Sequence, residues 1–378
     1  MKSKDDRQSI ERPFGRVLLS CLGVALASLA VACSDGSNNN PSGAGGDGGD
    51  GGSGAAGGAG GQGGEGGDGG DAPIVYPAEP EEVAKFNPAL GELPEGLAID
   101  GTTAYVVYSV APKVVKVDLE TGAVTDYGEI PGPIGIAFPQ GAALDAQKNL
   151  YVAVKSENPG MFMPGIYKFP PGGGTATLWS SHPSMSFPRH IAFHSSGYGL
   201  VSVPNAARIY VVSPSGITDD PGVSQLLSGD QTSACAYGEF LSYGVTSTFI
   251  SGNTFFATNA DRAYIFQGTF DGQTSEIAPD MVAGPDCGTL GGAESILEDP
   301  VSLSLMLAVR RTDKIMRVEF TGGMQVLAET ALYEPSAMAI GETKKGRHLY
   351  VTNSAHNTYN KGGIPGLVRI PLDKAKAK

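Results

Sequence analysis

Polar side chains recur at one position of a repeated sequence phrase, directly after its proline. The phrase reads Pro-x-x-apolar-Ala-apolar, and the residues that follow its prolines are Glu95, Gln140, Arg189 and Ser336. Two further candidates are Tyr243, at the start of a degenerate copy, and His190, next to Arg189. Repeated units of a radial fold bring equivalent positions together at the axis. A carboxylate, an amide, an imidazole and a guanidinium that meet there would form a site for an ion or a polar ligand.

Two other groups of polar residues are weaker candidates for chemistry. His190 and His194 share one face of a strand, but four strand residues span about 13 Å, which is too far for two ligands of one ion without a bend. Glu294, Glu298 and Asp299 lie close in sequence, and paired carboxylates can perform acid–base catalysis. These three acidic residues fall in a degenerate copy of the phrase, so the sequence does not fix which way each one points.

Two longer segments are expected to shape the rim of the site. Residues 158–165 (NPGMFMPG) combine two Met and one Phe, which suggests either an apolar contact surface or a locally packed cap. Asn353, His356 and Asn357 belong to a long polar segment near the C-terminus.

The repeated phrase predicts the fold. Clear copies occupy residues 94–99, 139–144, 188–193 and 335–340, and degenerate copies begin near 242 and 291, which gives a period of about 48 residues. Each copy continues through β-rich segments and a glycine-containing turn, with four strands per unit. Six such units predict an all-β, six-bladed β-propeller with four-stranded antiparallel blades. An open sandwich or an irregular β-solenoid is the alternative.

The last unit predicts how the ring closes. After residues 366–371 the chain runs into 374–378 (KAKAK) without a fourth strand, whereas residues 82–87 (EVAKFN) form a spare strand before the first unit. We therefore expect this N-terminal strand to complete the last blade. Closure of this kind removes two sheet edges that would otherwise favour aggregation.

The N-terminal region predicts export and membrane attachment. Residues 1–32 contain five basic residues and then an uncharged segment from 17 to 32, which is short for a membrane span of about 20 residues but suits a signal peptide. The segment ends Leu29-Ala30-Val31-Ala32-Cys33 and resembles a bacterial lipoprotein cleavage box, with Cys33 as the lipidated residue. Ordinary secretory cleavage after Ala32 and an uncleaved anchor are the alternatives.

The expected domain boundaries follow from composition. Residues 33–73 hold Cys33 and a Gly-rich segment that cannot bury apolar surface, so we expect a disordered linker of about 35 Å root-mean-square length. The propeller is expected over residues 74–373, followed by a basic tail at 374–378. The residue after Cys33 is Ser34 rather than Asp. This resembles the pattern of lipoproteins that are sorted to the outer membrane, so we expect that location. A periplasmic or secreted protein is the alternative location.

Net charge bears on the expected partners, and cysteine content bears on an expected disulfide. The net charge of −13 argues against nucleic acid, because neutralising phosphates requires basic patches. Cys235 and Cys287 remain after the two N-terminal cysteines, and in an oxidising compartment we expect them to form a disulfide. The alternative is two buried thiols.

The phrase PEGLAID at 94–100 and the β-rich residues after it resemble the SMP-30/gluconolactonase/LRE-like and NHL-repeat six-bladed propellers, over roughly residues 80–372. The resemblance to gluconolactonases implies a divalent cation such as calcium, held by one Glu, two Asn and one Asp. Glu95 matches the Glu and would be the metal ligand and catalytic residue. The other openings carry Gln140, Arg189, Tyr243 and Ser336 instead, and an Arg is unfavourable beside calcium.

Three functions remain open at this level. The leading hypothesis is a non-catalytic, membrane-tethered propeller, expected to be monomeric, that binds a protein, peptide or glycan through its rim or channel mouth. The lipid on Cys33 would make the bilayer its other partner. The alternative is a metal-dependent lactonase or esterase of the SMP-30 type. A purely structural protein of the cell envelope is the third possibility.

Overall fold

The computed structural model describes residues 74–220, 224, 226–236, 243–273 and 280–373. Cys33, the signal peptide at 1–32, the linker at 33–73 and the tail at 374–378 lie outside these residues, so their assignments stay predictions. Within the described ranges, no helix has the length and apolar character that crossing a bilayer requires.

The described residues form six β-sheets, each with four antiparallel strands, which are the six blades of a propeller. Blade 1 contains β2 (Pro94–Asp100), β3 (Thr103–Tyr108), β4 (Lys113–Asp118) and β5 (Val124–Glu129). Blade 2 contains β6 (Ala137–Leu144), β7 (Leu150–Ser156), β8 (Gly165–Lys168) and β10 (Thr177–Ser180). Blade 3 contains β11 (His190–Phe193), β12 (Gly199–Val203), β13 (Arg208–Val212) and β14 (Thr218–Asp219).

The second half of the ring repeats this arrangement. Blade 4 contains β15 (Val245–Ser251), β16 (Thr254–Asn259), β17 (Tyr264–Thr269) and β18 (Asp280–Ala283). Blade 5 contains β19 (Ala293–Asp299), β20 (Ser304–Val309), β21 (Lys314–Glu319) and β22 (Met324–Ala328). Blade 6 contains β23 (Pro335–Thr343), β24 (Gly346–Asn353), β25 (Gly366–Pro371) and β1 (Glu81–Lys85). The prediction of six four-stranded blades is confirmed.

Short elements connect or extend the blades. Strand β9 (Gly174–Thr175) pairs in parallel with β5 and adds a fifth strand to blade 1, although its residues precede the last strand of blade 2. Short 3₁₀ helices span Pro88–Leu90, Pro204–Ala206, Arg310–Thr312 and Tyr359–Lys361. Three of them join the second and third strands of a blade.

The N-terminal strand closes the ring. Strand β1 pairs antiparallel with β25, and the first strands of the blades contact each other in the cyclic order β2, β6, β11, β15, β19 and β23. Ala84 and Phe86 are buried, and the ring of Phe86 meets that of Tyr108 in blade 1 edge-on at 5.2 Å between centroids. Arg369 also forms an ion pair with Glu81 at 2.5 Å. The predicted closure is therefore observed, and apolar contacts tie it to the next blade.

The hydrophobic core lies mainly between neighbouring blades. Between blades 1 and 2, for example, Val107 and Val114 pack in one cluster with Leu150, Val152 and Phe169. Each blade thus buries a face against the next, which makes the ring rather than the single blade the unit of stability.

A disulfide joins Cys235 to Cys287, with 4.7 Å between their Cα atoms. Cys235 is buried beside Leu290 in the core of blades 4 and 5. The predicted pairing is present.

Replacing both cysteines by serine is expected to lower the free energy of unfolding by about 4 kcal/mol or somewhat less. The two residues are 52 apart in sequence, and a cross-link of that length restricts the unfolded chain. Urea denaturation of the oxidised protein and of Cys235→Ser/Cys287→Ser measures the difference. A reducing agent should destabilise only the unchanged protein, and equal midpoints for both proteins would contradict the prediction.

Candidate functional site at the channel mouth

A β-bulge at the start of most inner strands turns one polar side chain toward the axis. The pairing of the first two strands is interrupted at Glu95 in blade 1, at Gln140 in blade 2, at Thr246 in blade 4, at Glu294 in blade 5 and at Ser336 in blade 6. In blade 3 the equivalent residue, Arg189, directly precedes β11. Bulges redirect side chains in this way. All six residues are buried, so each blade contributes one polar group to the mouth.

Glycines let the inner strands approach closely at the mouth. A Cβ atom at Gly96 would overlap the carbonyl oxygen of Gln140, and one at Gly141 would lie 2.7 Å from that of Arg189. The amide of Gly141 instead donates to the carbonyl of Arg189 at 2.9 Å. The glycine after Glu95 and the one after Gln140 therefore set the small radius of the ring here.

The guanidinium of Arg189 lies at the centre of the mouth and bonds to three other blades. Its Nε donates to Glu294 Oε2 at 3.0 Å, and its Nη2 donates to both Glu294 Oε2 and Glu95 Oε1 at 2.5 Å. Its Nη1 donates to Gln140 Oε1. Because Arg189 is itself 8% exposed, these bonds form a buried, charge-assisted network.

A second arginine completes the network. Arg310 donates from Nη1 to Glu95 Oε1 at 2.9 Å and from Nη2 to Glu334 Oε2 at 3.3 Å. The backbone amide of Asn357 donates to the same Glu334 oxygen at 3.1 Å. Two guanidinium groups therefore face three carboxylates, and the network keeps a formal charge of −1 when His356 is neutral.

His356 contacts both an acid and a hydroxyl, but through one ring atom. Its Nε2 lies 2.7 Å from Ser109 Oγ and 3.1 Å from Glu95 Oε2. A catalytic relay of serine, histidine and acid uses both ring nitrogens, one for each partner. In this arrangement the acid does not orient the imidazole from the far side, so the three residues do not reproduce that relay.

Charge and burial shift the pKa values of these groups in defined directions. Burial alone would raise the pKa of Glu95, but the charges of Arg310 and Arg189 and the contact with His356 hold it well below its ordinary value. Burial lowers the pKa of Arg189, and Glu294 and Glu95 outweigh that effect, so its pKa is raised. Burial and the neighbouring Arg189 lower the pKa of His190 to about 4. At neutral pH, Glu95 and Arg189 are charged and His190 is neutral.

The network closes the channel at this end. Beneath Arg189 the remaining cavity measures about 10 Å³, which is the room that one water molecule requires. Oε1 of Glu294 is buried and has no hydrogen-bond partner in the described part of the chain. A substrate that enters from the mouth would first have to displace the arginine.

The residues of the mouth do not fit a calcium site. Calcium takes six to eight oxygen ligands, whereas both oxygens of Glu95 already contact cationic groups or His356. Residues 74–373, apart from the gaps already given, contain no group of three His, Cys, Asp or Glu side chains suited to a metal ion. Arg189 stands where the resemblance would require a further ligand.

The structure brings most of the sequence-predicted mouth residues together. Glu95, Gln140, Arg189 and Ser336 occupy equivalent positions, and His190 borders the small cavity under them. In blade 4 the equivalent position belongs to Thr246 rather than to Tyr243. Tyr243 packs edge-on against Phe187 with 6.1 Å between centroids, and burial raises its pKa. It still lies close enough to the network to interact with the charges of Arg189 and Glu294.

Three residues of the network were not among the predicted mouth residues. Glu294 is the bulge residue of blade 5, and the degenerate phrase GAESIL was the available signal for it. Arg310 begins a 3₁₀ helix and Glu334 lies in the connection to blade 6, so no repeated pattern marks either one.

The fold places the members of each weaker candidate cluster in different parts of the structure. Glu298 and Asp299 lie at the other end of β19 from Glu294, and Asp299 forms an ion pair with Arg347. His194 contacts Ser196 and Asn253, whereas His190 lies at the axis. Neither set converges on one reacting atom.

Exposed apolar side chains lie at the mouth end of three neighbouring blades. They lie in the connections before β2 and β6 and in the loops after β7 and β24, all at the mouth end of the strands. This apolar rim consists of Leu90, Ile134, Met161, Met163, Tyr359 and Ile364. It belongs to blades 6, 1 and 2, which are neighbours in the ring.

Comparison with known proteins supports the fold. No family model and no curated protein matches this sequence. The calcium-binding protein regucalcin from Agrobacterium tumefaciens superposes with a TM-score of 0.55 at 13% identity, covering 79% of this chain and 95% of that one. The major allergen Mala s 1 of Malassezia sympodialis gives 0.57 at 15%, covering 76% and 96%. A gluconolactonase from Xanthomonas campestris gives 0.52 at 13%, covering 78% and 96%.

The chain is thus a six-bladed β-propeller with structural neighbours of the regucalcin and gluconolactonase type. At these identities the similarity establishes the fold alone. In this chain two arginines close the mouth.

Proposed function

We propose that this protein is a membrane-tethered, extracytoplasmic propeller that binds a protein or peptide through its apolar rim. The observation that carries the proposal is the pairing of Glu95 with Arg189 and Arg310 at 2.5 and 2.9 Å. It neutralises the one carboxylate that the family resemblance would assign to metal-dependent chemistry, and it blocks the route from the mouth into the channel. A ring of this kind serves as a rigid platform for its loops.

The apolar rim supports binding of a partner with its own apolar side chains. Met161 and Met163 are 64% and 50% exposed, and Ile134 is 75% exposed. Phe162, between the two methionines, is buried and stacks on Tyr167 with 5.2 Å between ring centroids, so it anchors the loop. Exposed apolar side chains at one end of a fold are common in protein-binding sites, and methionine adapts well to varied partners. A glycan would use such a surface less well.

The extracytoplasmic location is supported by the disulfide between Cys235 and Cys287, because such bonds persist mainly in oxidising compartments. The tether rests on Cys33 and on the Gly-rich residues after it. The proposed place is the outer membrane.

Replacing Cys33 by alanine is expected to move the protein from the membrane fraction to the soluble fraction. The thioether-linked lipid is the proposed anchor, and without it the propeller has no attachment to the bilayer. Fractionation of cells that make the unchanged protein or Cys33→Ala, together with labelling by a radioactive fatty acid, measures this. An unchanged protein that takes up no labelled fatty acid, or a Cys33→Ala variant that takes up as much, would contradict lipidation at this residue.

Panning the purified protein against a random-peptide phage library is expected to recover binders that depend on the rim. Met161→Asp/Met163→Asp should weaken them by tenfold or more, about 1.4 kcal/mol, because it places charge in an apolar contact. Met324→Asp, at an exposed residue of the outer strand β22, is the matched control. Binders that respond equally to both variants, or glycan-array ligands recovered in place of peptides, would contradict the proposal.

A lactonase or esterase is the second candidate, favoured by the contact between Ser109 and His356 and by the name of one similar structure, the gluconolactonase. The response of the unchanged protein to calcium separates the two functions. We expect millimolar calcium neither to raise its melting temperature nor to start hydrolysis of gluconolactone. A rise of several degrees that Glu95→Gln abolishes, with calcium-dependent turnover, would establish the enzyme and refute the binding proposal.

A further inference from the structure

The axial channel has a second opening, at the end opposite to Glu95. There the inner strands of all six blades line a funnel of about 480 Å³. The alanines of the repeated phrase, Ala98, Ala143, Ala192 and Ala339, lie in its wall, so the small residue of each phrase leaves this space open. The volume falls within the range of about 300–1,000 Å³ that is typical of small-molecule sites.

Many of the side chains in the wall of the funnel are apolar. Partly exposed residues from five of the blades line it, and they are Ile99, Leu144, Phe193, Phe249, Ile250 and Ile340. Within a folded protein such side chains are normally covered by other protein atoms. Each of these residues also packs against a hydrophobic cluster between blades, and only the part of it that stays exposed borders the cavity. Such exposed apolar surface can remove apolar ligand surface from water.

The floor of the funnel is His190. This residue borders both the funnel and the small cavity beneath Arg189, so the arginine network seals the funnel from the mouth. The imidazole is neutral at pH 7, and its Nδ1 is buried without a hydrogen-bond partner in the part of the chain that the structure describes. A blind, uncharged floor suits the apolar end of a ligand.

The open end of the funnel is acidic. The charged side chains that line it or pair with those that do are Asp100, Asp145, Lys148, Glu298, Asp299 and Arg347. Both cations are already paired, Lys148 with Asp100 at 3.0 Å and Arg347 with Asp299. Four carboxylates against two cations leave a formal charge of −2, and Glu298 forms no ion pair within the described ranges. An anionic head group would be repelled here, whereas a cation would be attracted.

We propose that this funnel binds a small ligand with an apolar body and one amine group. The body would occupy the space between the inner strands, and the ammonium would lie at the open end beside Glu298. This site is separate from the apolar rim and does not depend on the function proposed for it. The partner is thus a hydrophobic amine rather than a fatty acid or a metal ion.

Trp179 provides a built-in reporter for this proposal. It is the one tryptophan of the chain, and its ring lies 6.0 Å from that of Phe193 in the funnel wall. The neutral apolar probe N-phenyl-1-naphthylamine absorbs where tryptophan emits. We expect the probe to bind, to quench Trp179 by energy transfer, and to be displaced by octylamine at concentrations at which octanoate has no effect.

Variants separate the funnel from other surfaces. Ala192→Leu and Ala339→Leu, each of which adds side-chain volume to the funnel, should weaken probe binding tenfold or more. Glu298→Gln should weaken octylamine about fivefold and leave the neutral probe unchanged. Met161→Ser, in the apolar rim, is the control and should change neither. If Met161→Asp/Met163→Asp does not weaken peptide binding, the rim proposal fails and the funnel proposal still stands. If Ala192→Leu and Ala339→Leu do not weaken probe binding, the funnel proposal fails and the rim proposal still stands.

Three outcomes would overturn the proposal. One is probe binding that neither alanine variant changes. Another is displacement by octanoate as effective as displacement by octylamine. The third concerns the basic tail at 374–378, which follows Asp373, whose carbonyl accepts a hydrogen bond from Arg347 at 3.2 Å. If the probe binds only to a chain that ends at Asp373, the tail rather than an external amine is the occupant.

Discussion

Deleting residues 80–90 is expected to abolish the cooperative unfolding transition of the propeller. The deletion removes β1, so β25 loses its partner and blade 6 keeps three strands. It also removes Ala84 and Phe86 from the core shared with blade 1, where Phe86 meets Tyr108. An opened ring exposes two sheet edges and an apolar face, and both favour aggregation. Circular dichroism during heating, with analytical gel filtration, measures the outcome.

A single substitution tests the same closure without changing the chain length. Phe86→Ala should lower the free energy of unfolding by about 3–5 kcal/mol, because it leaves a cavity between blades 6 and 1. Leu90→Ala is the matched control, since Leu90 is 66% exposed and its loss should cost no more than about 0.5 kcal/mol. If the truncated protein melts like the intact one, the ring does not depend on its N-terminal strand.

Replacing Arg189 by methionine is expected to lower the free energy of unfolding at pH 7 by about 3–5 kcal/mol. Methionine fills similar space but leaves Glu294 and Glu95 buried with one cation fewer, and an uncompensated buried charge is costly. Lys344→Met is the control, because the side chain of Lys344 is 88% exposed and pairs with Glu120 at the surface.

The deficit of the Arg189→Met variant should depend on pH with a defined sign. In the unchanged protein the pKa of Glu95 lies well below its ordinary value, so its contribution to stability is present above about pH 4.3 and is lost as the pH falls toward the folded pKa. Without Arg189 the folded pKa of this carboxyl rises, and protonation then relieves the buried charge. Urea denaturation should show a larger deficit at pH 7 than at pH 3.5, and an equal deficit at both would contradict a buried ionic network.

Proton release gives an independent measure of the same network. Titration of the unchanged protein by carboxyl NMR should show Glu95 ionised throughout the folded range, whereas the variant should titrate at a higher pH. A structural role without charge coupling would leave that titration where it was. Phe86→Ala and Arg189→Met therefore separate what holds the ring together from what closes its channel.

Much of the candidate site was predictable because it repeats. The proline that opens each clear phrase fixed the positions of Glu95, Gln140, Arg189 and Ser336, and a radial fold brings equivalent positions together. Glu294 was not predicted as a mouth residue because the phrase in its blade has no proline before it. Arg310 and Glu334 were not predicted for a different reason. They lie outside the repeated strand, and Arg310 contacts Glu95 from another blade.

The function of the charges was less predictable than their positions. From the sequence, Arg189 was an obstacle to a metal site, whereas in the structure it is the group that links Glu95, Gln140 and Glu294. The difference arises because a guanidinium has five donors in a fixed plane, and only the observed distances show how many carboxylates and amides lie within its reach.

The sequence by itself determined the number of blades, the strand that closes the ring and the cysteines that pair, because each of these follows from a repeat, a missing strand or a count. Only the tertiary structure decided that one end of the channel is sealed by arginines and the other is an open apolar funnel. Periodicity specifies which residues occupy equivalent positions along the chain. It does not specify how side chains of different length and charge from six blades share one axis, since that depends on contacts between residues far apart in sequence.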